Sequence, residues 1–298
     1  MAYLAWLAVT TSIALVTCAE VPDMEDDDRL LIGPLVALGC RVDVVTWDDP
    51  EVDWADYDLA VLRSSWDYAS RRDEFVGWAT KVPRLANAAS VVAWNTDKRY
   101  LADLAAAGVP VVSTSWVEPS DVWRLPDGGH WVVKPSISVG SKDAGRYDMT
   151  IDEHREHAAD HVRRLQAAGR TVMVQPYLSA VDTYGETALI YAAGEFSHAI
   201  RKGPMLDGPY VGVAGLYKPE TITAREPSDA ERALGDRALR ALPGYLPELL
   251  YARVDVIPGS DGAPLVVELE LTEPSLYLGF SAGAADRFAA AIATSGSR

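Results

Sequence analysis

Near its C-terminal end the sequence carries two short runs, Arg253-Val254-Asp255 and Glu268-Leu269-Glu270, in which charged and apolar residues alternate. Side chains in a β-strand alternate between faces, so Arg253 and Asp255 share a side, as do Glu268 and Glu270. Val254, Val256 and Leu269 then point the other way, into a core. Two neighbouring strands of this kind gather three carboxylates on one face. Carboxylates this close repel one another unless a cation neutralises them. Hard oxygen ligands select magnesium, with manganese as the alternative. A solvated strand face is the plainer reading, but such faces rarely set three acids this tightly beside apolar neighbours.

The rest of the chain supplies a scaffold for that hairpin. At 298 residues it is long enough for two or three sub-domains. Hydrophobic residues make up 49%, which places it among folded rather than disordered chains. The formal net charge of -16 repels nucleic acid phosphates, so a nucleic-acid partner is not expected. A nucleotide, by contrast, needs only a few local cations. The two cysteines, Cys18 and Cys40, suit a reducing cytoplasm without a disulfide framework.

Residues 1–19 are apolar and uncharged, but no Lys or Arg precedes Arg29, so the positive flank of a signal peptide is missing. The segment reads as a buried strand over 13–18 behind an apolar extension, and residues 1–12 are left as an over-long start or a contact in a homo-oligomer. An uncleaved, cytoplasmic chain is expected. No other stretch is long and apolar enough to span a membrane.

Strand and helix alternate over the first ninety residues: strands at 13–18, 41–47 and 59–63, helices at 28–39 and 71–81. That order predicts a parallel sheet covered by helices, with ligands beyond the carboxyl ends of the strands. The segment 63–68 lies at such an end, which makes Arg63 and Ser65 candidate substrate contacts. A helix is expected over 96–107, a strand at 131–134, a helix over 152–168 and a strand at 171–175. The last third reads as a largely antiparallel sheet, with strands at 186–193, 196–200, 251–257 and 265–271 and a hairpin at Ala193-Gly194-Glu195. The Gly/Pro-rich stretch 207–227 reads as a mobile loop.

The cations lie upstream of the acids. Lys134 ends the apolar strand and is held beside the small, flexible loop 135–145, whose backbone N–H groups suit phosphate oxygens and which includes Ser141. No Gly-Lys-Ser/Thr opens a helix there, so it is not a Walker A loop. Gln175-Pro176-Tyr177-Leu178 leaves a strand, followed by Asp182, Gly185 and Glu186, and the strand 196–202 ends on Arg201-Lys202.

Lys98, Lys134-Pro135, Gln175 to Leu178, Gly185-Glu186 and the two acidic runs together resemble the ATP-grasp superfamily, over about residues 90–280. Within it the chain is similar to ligases related to D-alanine–D-alanine ligase and glutathione synthetase. One departure stands out: Glu270 occupies a position where Asn is usual. The resemblance implies an ATP-grasp fold of mixed α/β and α+β class: a parallel α/β domain (1–94), a lid sub-domain (95–178) and a sub-domain with the metal site (179–298). It implies that Lys98 and Lys134 contact the ATP phosphates, that Gln175, Tyr177 and Leu178 line the adenine slot, and that Asp182 binds the ribose. Lys202 would reach the γ-phosphate, Arg253 would stabilise charge at the transferring phosphoryl group or the acyl intermediate, and Asp255, Glu268 and Glu270 would hold two magnesium ions. Ser275 is implied as a substrate contact. The implied activity is carboxylate activation as an acyl phosphate, followed by attack of a nitrogen nucleophile on a small amino-acid-like substrate. Segments 136–145 and 207–215 would act as lids.

At a finer level the whole chain, including 63–68 and 94–98, resembles a bacterial subgroup with a D-cycloserine-forming member from antibiotic biosynthesis, associated with ring closure of O-ureido-D-serine. Rivals are an intermolecular amino-acid or peptide ligase, a small-molecule kinase and a non-catalytic nucleotide sensor.

Other signals read as structural. His154, His157 and His161 share a helix rich in acids and arginines and are expected on a solvated face. Ser197 and His198 should face opposite ways as strand neighbours and so not pair, with His198 a candidate substrate contact. Trp47, Trp54, Trp66 and Trp78 are expected in core and rim.

Overall fold

The computed structural model describes residues 11–210, 212 and 220–297. The apolar extension before residue 11, and residues 211 and 213–215 of the second expected lid, lie outside them. The first sheet comprises β1 (Ser12–Thr17), β2 (Arg41–Thr46), β3 (Leu59–Leu62) and β4 (Leu85–Ala86), all parallel, in the order β2-β1-β3-β4. Every residue of β1 and β3 is buried, as expected of parallel strands covered on both faces. On one face, α3 (Arg72–Ala79) sets Phe75 and Trp78 against Trp47, with Trp54 on Trp78. On the other lie α1 (Asp26–Arg29), α2 (Ile32–Ala37) and the C-terminal helix.

The helix expected over 28–39 is broken after Arg29. Pro34 has no N–H to donate to the carbonyl of Leu30, so the helix restarts at Ile32 with Pro34 in its first turn. The helix expected over 96–107 begins only at Tyr100, as α5 (Tyr100–Ala106); α4 (Ala89–Asn95) precedes it, and Lys98 sits in the turn between them.

The second sheet, in the order β5-β8-β6-β7, is antiparallel and covered on one face by α6 (Asp152–Ala167). Its strands are β5 (Ser115–Val117), β6 (His130–Pro135), β7 (Gly145–Asp148) and β8 (Val172–Pro176). His161 is buried in that interface rather than solvated: its Nδ1 lies 2.8 Å from the Tyr147 hydroxyl and Tyr210 stacks on its ring. Burial holds its pKa down at about 4.

The third sheet carries the acidic hairpin. Its strands are β9 (Glu186–Ala192), β10 (Glu195–Lys202), β11 (Ile222–Ala224), β12 (Tyr251–Pro258) and β13 (Pro264–Glu270), in the antiparallel order β11-β10-β9-β12-β13. The β9–β10 turn places both Ala193 (φ 48°) and Gly194 (φ 83°) in the left-handed region, the geometry of a type I′ hairpin. Helix α7 (Asp229–Arg240) packs on one face, opened by Ser228 and Glu231 as a reciprocal cap, and α8 (Ala284–Gly296) packs on the other. Alternate residues of β9 feed the two cores: Leu189 and Tyr191 face α7, while Ala188 and Ile190 face α8 and the first sheet.

Gly235 shows how tightly α7 is seated. A Cβ there would lie 2.6 Å from Leu189 Cδ1 and also against the Tyr191 hydroxyl. Gly235→Ala should therefore destabilise by about 1–3 kcal/mol, because overpacking outweighs the gain in helix propensity. Thermal denaturation checks this, and an unchanged or raised melting temperature would refute the packing argument.

Candidate active site

The three sheets and the loops leaving them enclose a cavity of about 400 Å³. That is within the range of small-molecule sites. One wall is the β12–β13 hairpin. Its register pairs Arg253 with Glu270 and Asp255 with Glu268, so all four side chains fall on one face, while Val254 and Leu269 are fully buried on the other.

Glu268 and Glu270 face the cavity, whereas Asp255 is fully buried behind them. Both Asp255 oxygens are occupied. Arg253 donates Nε to Oδ1 at 2.9 Å and Nη2 to Oδ2 at 3.0 Å, and Lys202 Nζ reaches Oδ2 at 2.6 Å. Burial raises the Asp255 pKa, but the two cations outweigh it and hold the group at about 2. Lys202 also lies 3.0 Å from Glu186, and Arg253 Nη2 contacts Glu270.

Lys98 Nζ lies 3.0 Å from Glu268 and donates to the Ser138 carbonyl at 2.6 Å, tying the acidic hairpin to the Ser/Gly loop. Lys134 points into the same space, and burial lowers its pKa. Glu270 differs from its neighbours. Burial, reinforced by Glu268 and Asp255, pushes it up to about 8 despite Arg253. Glu273, hydrogen-bonded to Tyr68, is pushed by burial to about 7. Glu268 and Glu270 both face the cavity, and a hard divalent cation held between them would offset the mutual repulsion that helps raise Glu270.

The cavity is also lined by apolar side chains, Val112, Val132, Leu178, Val181, Ile257 and Val267, together with Gln175 and Tyr177. Gln175 is fixed by a 2.8 Å bond to Thr114, and Arg146 lies over the Tyr177 ring at 3.7 Å. Above it, Ser138 to Ser141 belong to the loop between β6 and β7. Ser141 (φ 58°) and Asp143 (φ 55°) are left-handed there, and Asp143 is held by Arg164 and Arg170. The segment after β10 crosses to this loop: Arg146 N–H donates to the Gly208 carbonyl at 2.8 Å, and Ser141 Oγ lies 3.8 Å from Met205 Sδ. The opposite end lies beyond the carboxyl ends of β1 and β3 and is lined by Glu25, Asp27, Asp28, Trp66, Tyr68 and Tyr277.

The cavity thus takes in Lys98, Lys134, Ser141, Gln175, Tyr177, Leu178, Lys202, Arg253, Glu268, Glu270 and Ser275. Several expected contacts are elsewhere. Asp182 is outside, accepting a hydrogen bond from Tyr177 and pairing with Arg146. Arg63 and Ser65 are buried behind the wall: Arg63 donates to the Pro274 carbonyl at 2.8 Å, and Ser65 Oγ lies 3.4 Å from the Val16 carbonyl. His198 shares a sheet face with Arg253, both being cross-strand partners of Ile190, but it does not line the cavity, and its Nε2 is on the Leu276 and Tyr277 carbonyls. Its Nδ1 meets Ser197 Oγ at 2.9 Å, contrary to strict alternation, because a bulge between Phe196 and His198 turns the two side chains together. Trp66 lines the cavity instead of joining the aromatic core of Trp47, Trp54 and Trp78. The sequence reading missed Glu273 and Tyr277, whose signal was proximity to Ser275, and also Glu25, Asp27 and Asp28.

Comparison with known proteins decides the family. The chain is 41% identical to the cycloserine biosynthesis protein DcsG of Streptomyces lavendulae, over 94% of this chain and 97% of that protein. The chain belongs to the D-cycloserine synthetase family. Residues 13–87 match the family model for the N-terminal domain of D-cycloserine synthetase DcsG. The crystal structure of D-cycloserine synthetase DcsG superposes with a TM-score of 0.85 at 37% identity, covering 96% of this chain and 99% of that one. D-alanine–D-alanine ligase of Bacillus anthracis shares the fold at 14% identity, with a TM-score of 0.66 and coverage of 97% and 98%. Members of the D-cycloserine synthetase family are ATP-grasp ligases, and this chain is an ATP-dependent ligase of that fold. Among the described residues no helix is long and apolar enough to cross a membrane.

Proposed function

We propose that this chain closes the D-cycloserine ring: it phosphorylates the carboxylate of a linear D-serine derivative, and a nitrogen of the same molecule displaces the phosphate. The observation that carries the reading is the single wall on which Lys98 meets Glu268, Arg253 meets Glu270 and Lys202 meets Asp255, beside Lys134. The family resemblance over nearly the whole chain supports it.

Atom balance defines the step. The ring joins the carboxyl carbon to the nitrogen borne on the side-chain oxygen. In O-ureido-D-serine that nitrogen carries a carbamoyl group, which hydrolysis must remove. The ATP-dependent step then takes O-amino-D-serine and ATP to D-cycloserine, ADP and phosphate, with one carboxylate oxygen leaving on the phosphate.

Lys98 and Lys134 are assigned to the ATP phosphates, with Ser141 in the loop over them. The apolar cleft beside Gln175, Tyr177 and Leu178 is assigned to adenine, and Asp182, through Tyr177, to the ribose edge. Lys202 would exchange its carboxylate partners for γ-phosphate oxygens. Glu268 and Glu270 would hold magnesium, two ions in the full reading, with Asp255 joining them once Lys202 is drawn away; manganese fits the same donors. When bound, the metal neutralises and aligns the phosphate oxygens. Arg253 would neutralise the carbonyl oxygen as it becomes an oxyanion. The loop 136–145 and the crossing segment 203–210 exclude the water that would hydrolyse an acyl phosphate. An ATP-consuming enzyme of this kind works in the cytoplasm.

Incubation with O-amino-D-serine, magnesium and ATP should give D-cycloserine by mass spectrometry, with phosphate and ADP in equal amounts. A stable phosphorylated product without free phosphate would make the chain a kinase. Product only after addition of a second amino acid would make it an intermolecular ligase. Lys134→Ala should weaken ATP binding by on the order of 2 kcal/mol, the loss of a charge-assisted contact. Unchanged calorimetric affinity would remove Lys134 from the nucleotide site.

A further inference from the structure

The backbone that follows β13 is gripped by side chains from across the fold. The Glu273 carbonyl accepts from Trp66 Nε1 at 3.0 Å and the Pro274 carbonyl from Arg63 Nη2 at 2.8 Å. The Ser275 carbonyl accepts from Arg253 Nη1 at 3.2 Å. The carbonyls of Leu276 and Tyr277 share His198 Nε2, at 2.9 and 3.2 Å. Just beyond, the N–H groups of Leu278 and Gly279 donate to the Asp27 carboxylate at 2.8 and 2.9 Å. Every carbonyl from 273 to 277 is therefore turned towards a donor, while the side chains of Glu273, Ser275 and Tyr277 line the cavity.

Two of these grips come from residues that do not line the cavity. Arg63 has a fully buried side chain lying over the Tyr251 ring at 4.7 Å. His198 is fixed in one tautomer by its partners. Carbonyls only accept, so Nε2 carries the proton, and Nδ1 accepts from Ser197 Oγ, which Arg287 in turn contacts at 3.1 Å. Tyr277, whose carbonyl His198 holds, has φ 50°. A non-glycine residue keeps that conformation only where its surroundings enforce it.

We propose that His198 and Arg63 are positioning residues for the acceptor end of the site: they set the shape of the 273–277 backbone from behind, and with it recognition of the amino-acid substrate rather than of the nucleotide. The proposal rests on the ring-closing reading only for the substrate used to test it. Trp66, Arg253 and Asp27 grip the same segment from inside the cavity, so their substitution would mix direct contact with positioning. His198 and Arg63 separate the two.

The test compares wild type, His198→Leu, His198→Gln and Arg63→Lys by steady-state kinetics with O-amino-D-serine and by amide hydrogen exchange. His198→Leu should lower kcat/KM for the amino acid by about tenfold or more and leave the KM for ATP within about twofold, the split expected when only one substrate's site is disturbed. Exchange should accelerate at the amides of residues 275–279 and stay unchanged in the 136–145 loop. His198→Gln, which keeps a donor, should recover part of the loss seen in His198→Leu, and Arg63→Lys, which also keeps one, should lose less than His198→Leu does. Unchanged exchange at 275–279 in His198→Leu, or parallel losses for ATP and amino acid, would overturn the proposal. Wild-type enzyme that fails to turn over O-amino-D-serine would refute the ring-closing reading instead, and the exchange result would still decide this one.

Discussion

Glu268→Gln and Asp255→Asn should each lower ADP formation on the order of 10³-fold or more, because each removes an anionic oxygen donor from the proposed metal site. The two variants should fail differently. Glu268 faces the cavity and, among the described residues, its salt-bridge partner is Lys98, so its amide should leave the fold intact and weaken binding at the proposed metal site. Asp255 is the buried counter-ion of both Arg253 and Lys202, so its amide also leaves two buried cations short of a partner. Removing one member of a buried ion pair costs about 3–5 kcal/mol, so Asp255→Asn should also melt at lower temperature. Activity near the wild-type level in Glu268→Gln would show that the metal is held elsewhere.

Arg253→Met should reduce kcat on the order of 10²–10³-fold, the effect of removing one preorganised donor from a developing oxyanion. The KM for ATP should move far less, since Arg253 is not among the groups assigned to the nucleotide. Arg253→Lys tests geometry against charge. A lysine keeps one positive charge but cannot reach Asp255, Glu270 and the Ser275 carbonyl together, as the guanidinium does. Recovery of full turnover by the lysine variant would reduce Arg253 to a counter-ion.

The acidic hairpin was legible in the sequence because strand alternation is a local rule, and Arg253-Val254-Asp255 and Glu268-Leu269-Glu270 state it within three residues each. The parallel first sheet was legible for a similar reason, its strands being short apolar runs between helical segments. Arg63 and His198 were not legible in their actual roles. Arg63 acts on a carbonyl 211 positions away and His198 on carbonyls 78 and 79 positions away, contacts that no local pattern encodes. Ser197 escaped because a bulge is an exception to alternation and carries no composition signal here. The break at Leu30 is different: Pro34 was visible, and its missing N–H was sufficient to foresee the interruption.

The pairing of Arg253 with Glu270 and of Asp255 with Glu268 also bears on how this hairpin folds. A slip of one residue between β12 and β13 would turn Glu268 and Glu270 into the space that Val256 and Leu269 fill, beneath α7. Neither acid would find a partner there, and an unpaired buried charge is among the most costly errors a chain can make. The turn at 259–263, closed by a 2.7 Å bond from Gly259 N–H to the Ala263 carbonyl, reinforces one register but does not by itself forbid another. The same charges that equip the site thus act as a check on assembly: a molecule with the hairpin misaligned is not a stable enzyme with a faulty centre but a chain that has yet to fold.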